Sequence, residues 1–218
     1  MAAVAVPAMM TFVFGSLAEL INTYFIGRYL SDPRALAGAG MGNILISMMC
    51  LAVFQGLNGA LETLISQAIG ANALCFKRFT SMGRESGAKT KDMAVVFLNR
   101  GRVIIFLAFI PITVLLSNVD HILIRLGQDP ETSRLARLYI MGQLPGLLMQ
   151  AQFDCIMRYM SAFKKSHIPM CTQFISTALH ALWCYILIVR LEMGILGASV
   201  AICITQTTNF VSLAFYTV

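Results

Sequence analysis

The stretch GALETLISQAIGA, residues 59–71, lies inside a long apolar run yet carries a carboxylate, Glu62, with Thr63, Ser66 and Gln67 just after it. A bilayer-crossing helix needs about 20 mostly apolar residues, and the run over 42–71 has that length. On a helix, residues three, four and seven apart share a face. Gln55, Gly59, Glu62 and Ser66 have that spacing, Asn58 sits at one edge, and Thr63 and Gln67 continue the other. Lipid cannot satisfy such a face, so it is expected to point into a protein interior or a water-filled cavity.

Composition sets the rest of the chain in a membrane. Of 218 residues, 58% are hydrophobic and 12% charged, with a mean hydropathy of +0.76. A soluble domain carries about 25% charged residues. Six spans are expected, over about 4–26, 42–71, 95–117, 135–163, 168–189 and 195–215, forming one lobe over 1–218. No set of segments alternates in polarity as barrel strands do, so the fold class is all-α, a polytopic membrane protein. The chain starts Met1-Ala2-Ala3 with no basic region ahead of its apolar run, so the first span reads as a retained anchor. The intervening 72–94, containing FTSMGRESGAKTKDM at 79–93, reads as a polar, flexible cytoplasmic loop.

Charge gives the orientation. Lys77, Arg78, Arg84, Lys89, Lys91, Arg100, Arg102, Arg158, Lys164 and Lys165 fall on one side of the expected spans. Arg28, Arg34, Arg125, Arg134, Arg137 and Arg190 fall on the other, with most of the acids. The basic side is expected to be cytoplasmic, which puts both termini there, in a plasma or organelle (vacuolar) membrane. The net charge of +6 is explained by this distribution, and no nucleic-acid partner is expected. The six cysteines form no C-x-x-C pair. His180 and Cys184 stand at i, i+4, but two ligands are too few for a metal. There is no G-x-S-x-G, paired metal-ligand set or phosphate loop, so neither an enzyme nor a cofactor is expected.

Three acids lie within expected spans: Glu19, Glu62 and Asp154. An intramembrane acid is costly and marks a functional site by default. Held in an apolar medium, it can exchange a proton or hold a cation near neutral pH. Structural roles stand beside this one. Glu62 can bond Ser66 or a neighbouring helix, or lie close enough to the membrane surface to be hydrated. Asp154 has Arg158 at i+4 as an ion-pair partner. Pro7 lies in the first span, where a proline frees a carbonyl and permits a kink. Gly38/Gly42 and Gly142/Gly146 are G-x-x-x-G pairs, which serve either packing inside one bundle or a dimer face.

These blocks together resemble the multidrug and toxic compound extrusion (MATE) transporters, especially their eukaryotic branch. GALETLISQAIGA resembles the family's A-L-E-T-L-x-x-Q-A-x-G-A signature. LIRLGQDPETSRLARLYI at 123–140 resembles its L-G-Q-D-P block, and FDCIMRYMSAFKKSHIP at 153–169 resembles the end of its fourth helix. The likeness runs in order over nearly the whole chain and over half the family's usual length. It implies the N-terminal six-helix lobe of a secondary antiporter that exports organic cations and other amphipathic compounds in exchange for protons or sodium. Alternating access would occur around a cleft shared with a second lobe or a second copy. Glu62 and Gln67 match the signature, and Asp154 falls where members often carry an acid. Asn22 falls where bacterial relatives carry a cation-binding aspartate. The expected cavity set is therefore Glu62, Gln67, Gln55, Asn58, Ser66 and Asn22, with Asp154 and Glu19 as secondary acids and Pro7 as the bending point. The alternative is a half-transporter that carries nothing and acts as a structural or regulatory membrane protein.

Overall fold

A computed structural model describes the backbone of residues 2–30, 32–78 and 83–217, with side chains placed for 6–30, 32–70 and 93–217. Among these residues every regular element is helical. The elements are α1 (Ala2–Tyr29), α2 (Pro33–Ile46), a π segment (Ser47–Leu51), α3 (Ala52–Arg78), α4 (Gly83–Ser117), α5 (Val119–Arg125), α6 (Pro130–Ala162), α7 (His167–Cys184), a second π segment (Tyr185–Arg190) and α8 (Gly194–Thr217). The π segments join their neighbours without a break, which leaves six long rods in the order of the six expected spans.

Capping chemistry explains where the rods begin. Asp32-Pro33 and Asp129-Pro130 each pair an N-capping carboxylate with a proline at the first helical position, where its missing N–H costs nothing. The Asp32 carboxylate accepts from the Arg34 N–H at 2.9 Å, and that of Asp129 accepts from the Thr132 N–H at 3.1 Å. These caps correct two sequence boundaries. The second rod starts at Pro33 rather than 42, and α6 starts at Pro130 rather than 135. The stretch 72–94 is corrected as well, since α3 continues to Arg78 and α4 begins at Gly83. What remains of the expected loop, 79–82, lies outside the described residues, as do the side chains of the basic residues between 77 and 91. The short α5 lies between the third and fourth expected spans, and Asp120 on it pairs with Arg137 on α6 at 3.1 Å.

Among the described residues, five stretches are long and apolar enough to cross a membrane: Val6–Tyr29, Pro33–Gly70, Met93–Ser117, His167–Arg190 and Gly194–Thr217. The sixth rod, α6, has the length but carries Gln143, Gln150, Gln152, Asp154 and Arg158. It can afford that polarity because it is the central element, packed by α2, α3, α4, α5 and α8. One apolar cluster joins α2, α3, α4 and α6 around Phe54, Ile65, Ile105 and Leu147. A second joins α1, α2, α6, α7 and α8 around Ile26, Tyr139 and Ala198. Outward faces are apolar in turn, as with Phe12, Leu20 and Tyr24 on α1 and Phe106, Ile110 and Val114 on α4. Faces of that kind are what lipid covers.

The glycine pairs serve packing within this bundle. A Cβ at Gly38 would stand 2.9 Å from Leu135 Cβ, and one at Gly42 would stand 2.8 Å from the Tyr139 ring. One at Gly146 would stand 2.7 Å from Cys203 Cα. Both G-x-x-x-G pairs thus let a neighbour approach α6 or leave from it: α2 on one side, α8 on the other.

Candidate functional site

A cavity of about 210 Å³ opens among α1, α2, α3, α6, α7 and α8. Its α6 wall follows one helical stripe: Gln143, Leu147, Gln150, Asp154 and Arg158. Spacings of four, three, four and four keep those side chains on one face. Opposite stand Thr11 and Glu19 of α1, Asn43 of α2, Gln55 of α3, Gln173 and His180 of α7, and Thr205 and Asn209 of α8.

The polar groups are held by specific bonds. Gln150 Nε2 donates to Asp154 Oδ1 at 3.1 Å. Asn209 Nδ2 donates to Gln173 Oε1 at 3.0 Å, tying α8 to α7. Thr205 gives its hydroxyl proton to the Ala201 carbonyl at 2.9 Å and stands 2.9 Å from His180 Nδ1. The other ring nitrogen of His180, Nε2, stands 3.3 Å from the Cys184 thiol. His180 and Cys184 therefore act as a hydrogen-bonded pair. Among the described residues no group of three or more histidine, cysteine or acid side chains gathers to hold a metal.

The expected site residues separate into three places. Glu19, Gln55 and Asp154 are on the cavity wall. Glu62, Ser66 and Gln67 are not. They line a second groove on α3 with Gly59 and Thr63, and all three are exposed. Thr63 bonds its own helix, its hydroxyl donating to the Gly59 carbonyl at 3.0 Å. Asn58 and Asn22 are buried between helices. The Cys155 thiol donates to Asn58 Oδ1 at 3.0 Å, so this edge of the α3 stripe is turned into the α6 contact. Asn22 Nδ2 donates to the Tyr139 hydroxyl at 3.1 Å, and that hydroxyl donates to Asn43 Oδ1 at 3.1 Å. Asn22 therefore does not line the cavity, and it reaches the wall by two routes: through Tyr139 to Asn43, and through the Cys184 thiol, 3.8 Å from its Oδ1, to His180. Helix α1 passes through Pro7 without a break, and the Pro7 carbonyl accepts from the Thr11 hydroxyl at 2.9 Å.

Arg158 is the residue that sequence reading missed. Its position near the end of the expected fourth span placed it with the basic side, and the expected partner was Asp154. Its guanidinium instead crosses to α3, where Nη1 pairs with the Glu62 carboxylate and Nη2 donates to Gln55 Oε1 at 3.0 Å. Arg158 lines the cavity while Glu62 lines the groove, so this pair forms the wall between the two. The signal available was the α6 stripe itself, whose i, i+4, i+7 pattern from Gln143 is as regular as that on α3.

Comparison with known proteins gives the family of the chain. The MatE family model matches residues 7–74 and 79–186. The chain is 28% identical over 216 residues to multidrug and toxin extrusion protein 1 of Xenopus tropicalis, covering 99% of this chain and 34% of that protein. It is 26% identical over 198 residues to protein DETOXIFICATION 16 of Arabidopsis thaliana, covering 91% and 37%. The crystal structure of the eukaryotic MATE transporter AtDTX14 superposes with a TM-score of 0.81 at 25% identity, over 99% of this chain and 44% of that one. An outward-facing MATE transporter of the MOP superfamily shares the fold, with a TM-score of 0.80 at 18% identity. The chain spans about a third of the length of the curated relatives it matches. With the family model matched over most of its length and the all-helical lobe superposed, the chain belongs to the MatE family of membrane transporters.

Proposed function

We propose that this chain is the N-terminal lobe of a multidrug-extrusion antiporter, and that its internal cavity binds small organic cations and the coupling ion. It is a transporter component and not an enzyme. The observation that carries this reading is the cavity itself: two carboxylates, Glu19 and Asp154, set among the amides of Gln55, Gln150 and Gln173. Carboxylates facing a confined space between apolar helices attract a cation more strongly than they would in water. Amide oxygens replace part of a cation's hydration. A proton or sodium ion competing for the same carboxylates supplies the exchange. Alternating access then needs a second lobe or a second copy to close the cleft, with the basic side of the chain in the cytoplasm. The α3 groove around Glu62, Ser66 and Gln67 supports this, being a polar face that the lobe leaves uncovered.

The test is equilibrium binding of radiolabelled phenethylammonium to the chain in lipid nanodiscs. Glu19→Gln and Asp154→Asn should each weaken binding, and acid or sodium should displace the amine. Absence of amine binding to the wild-type chain would refute the reading and favour the non-transporting structural protein.

A further inference from the structure

We propose that Arg158 is a movable counter-ion with two carboxylate positions, and that its choice between Glu62 and Asp154 sets whether the cavity accepts a cation. The proposal rests on the cation-binding reading above and adds a residue that controls it. Arginine stays protonated at any physiological pH. Its charge can therefore be balanced only by where the guanidinium sits.

Arg158 stands between two acids. Glu62 faces it across the gap to α3, and Asp154 lies one turn earlier on its own helix, an i, i+4 neighbour within side-chain reach. In this structure the guanidinium is turned outward, on Glu62 and Gln55. Asp154 takes its hydrogen bond from Gln150 instead. The cavity then holds Glu19 and Asp154 with the hydrogen bonds of Arg158 made elsewhere, and it is ready for a guest.

The outward position is poorly anchored. The Glu62 side chain is 48% exposed, and a half-solvated ion pair is weakly held. Arg158 Nε is buried with no hydrogen-bond partner. Of the five guanidinium donors, then, at least one gains by moving. Swinging to Asp154 exchanges one carboxylate for another and neutralises the acid that would hold the guest. The span from α3 to α6 decides whether Glu62 stays in reach, so any motion that parts these helices sends Arg158 inward and expels the cation.

The experiment measures phenethylammonium binding to the chain in nanodiscs for wild type, Glu62→Gln, Arg158→Gln and the double variant. Removing the Glu62 charge should release Arg158 onto Asp154 and weaken binding about tenfold, a typical size for coupling between sites. Arg158→Gln, alone or combined with Glu62→Gln, should bind at least as tightly as wild type. This rescue is the decisive result, since a direct ligand role for Glu62 predicts that the double variant stays weak. Arg158→Met replaces Arg158→Gln where the latter fails to elute as a monodisperse species. A double variant as weak as Glu62→Gln, or a Glu62→Gln that binds like wild type, overturns the counter-ion role and leaves the cavity reading intact. A wild-type chain that binds no amine overturns both.

Discussion

Replacing Tyr139 by phenylalanine removes one oxygen from the place where three helices meet. That oxygen accepts from Asn22 on α1 and donates to Asn43 on α2, each at 3.1 Å, while Tyr139 itself is fully buried on α6. The ring remains, so no cavity larger than a hydroxyl forms and the Gly42 contact survives. The cost falls on the partners. Asn43 is half-buried on the cavity wall, where water can replace the lost donor. Asn22 is 1% exposed, and its amide N–H loses its acceptor. An orphaned buried donor costs about 1–3 kcal/mol, whereas side-chain hydrogen bonds between membrane helices average only about 0.6 kcal/mol. The two figures bracket an expected loss of about 1–2 kcal/mol, a factor of about 5–30 in the unfolding equilibrium. The assay is reversible denaturant unfolding of the chain in bicelles, run as a double-mutant cycle with Asn22→Leu. The double variant has no orphan, so it should be more stable than the sum of single losses predicts, by about 1 kcal/mol. Tyr139→Phe within about 0.3 kcal/mol of wild type, or strictly additive losses, would refute the claim that this hydroxyl joins α1, α2 and α6.

Three further outcomes follow from the packing and capping. Gly146→Ala drives a Cβ into the Cys203 backbone and should destabilise by about 1–3 kcal/mol, whereas Gly40→Ala, which meets nothing within 4 Å, should be neutral or gain about 0.5–1 kcal/mol; the same unfolding assay compares them. Asp129 lies outside the spans, and hydrogen bonds from the Thr132 N–H and then its hydroxyl hold its carboxyl below the ordinary value. A depressed folded value means the cap is present above the unfolded value of about 3.9 and is lost as pH falls through the folded one. Hydrogen exchange at the Thr132 amide should therefore accelerate in acid, and Asp129→Ala should remove both the protection and its pH dependence. Finally, Gln152→Leu removes the acceptor of Arg102 Nε, at 2.9 Å, and the donor to the Arg102 carbonyl, at 3.1 Å. It should loosen α4 from α6 and cost about 1–3 kcal/mol.

Much of the architecture was legible because the bilayer imposes length and polarity together. Apolar runs gave six rods in order, and the α3 stripe pointed to a polar face. The failures have physical causes. Boundaries slipped where capping outranked hydropathy, as at Asp32-Pro33 and Asp129-Pro130. The acid of the signature stretch, expected to line or support a cleft shared with a second lobe, lies on the open α3 groove and not on the internal cavity, because periodicity reports a face and not the depth at which a neighbour covers it. Gln55 reaches the cavity, and Glu62, two turns on, is already beyond its wall. Asn58 and Asn22 have the chemistry of a binding site, yet their partners, Cys155 and Tyr139, are about a hundred residues away and no local pattern reveals them. Arg158 was misplaced for the same reason. Its partners sit on a helix that only the tertiary fold brings alongside.

The π segment at Ser47–Leu51 carries a consequence for how this gene can tolerate change. A π turn stores one surplus residue inside a helix, and here the Ala52 N–H reaches back five positions to the Ser47 carbonyl. Helices on either side keep their facing, with Gly38 and Gly42 against α6 and Leu61 against Gly101 of α4. Loss of a codon elsewhere in this rod would turn everything beyond it by about 100° and unseat one of those faces. Loss of the codon for Met48, which is 70% exposed, would instead consume the surplus and leave both faces in register. In a scan of single-codon deletions along the second rod, the tolerated positions should therefore cluster within this turn.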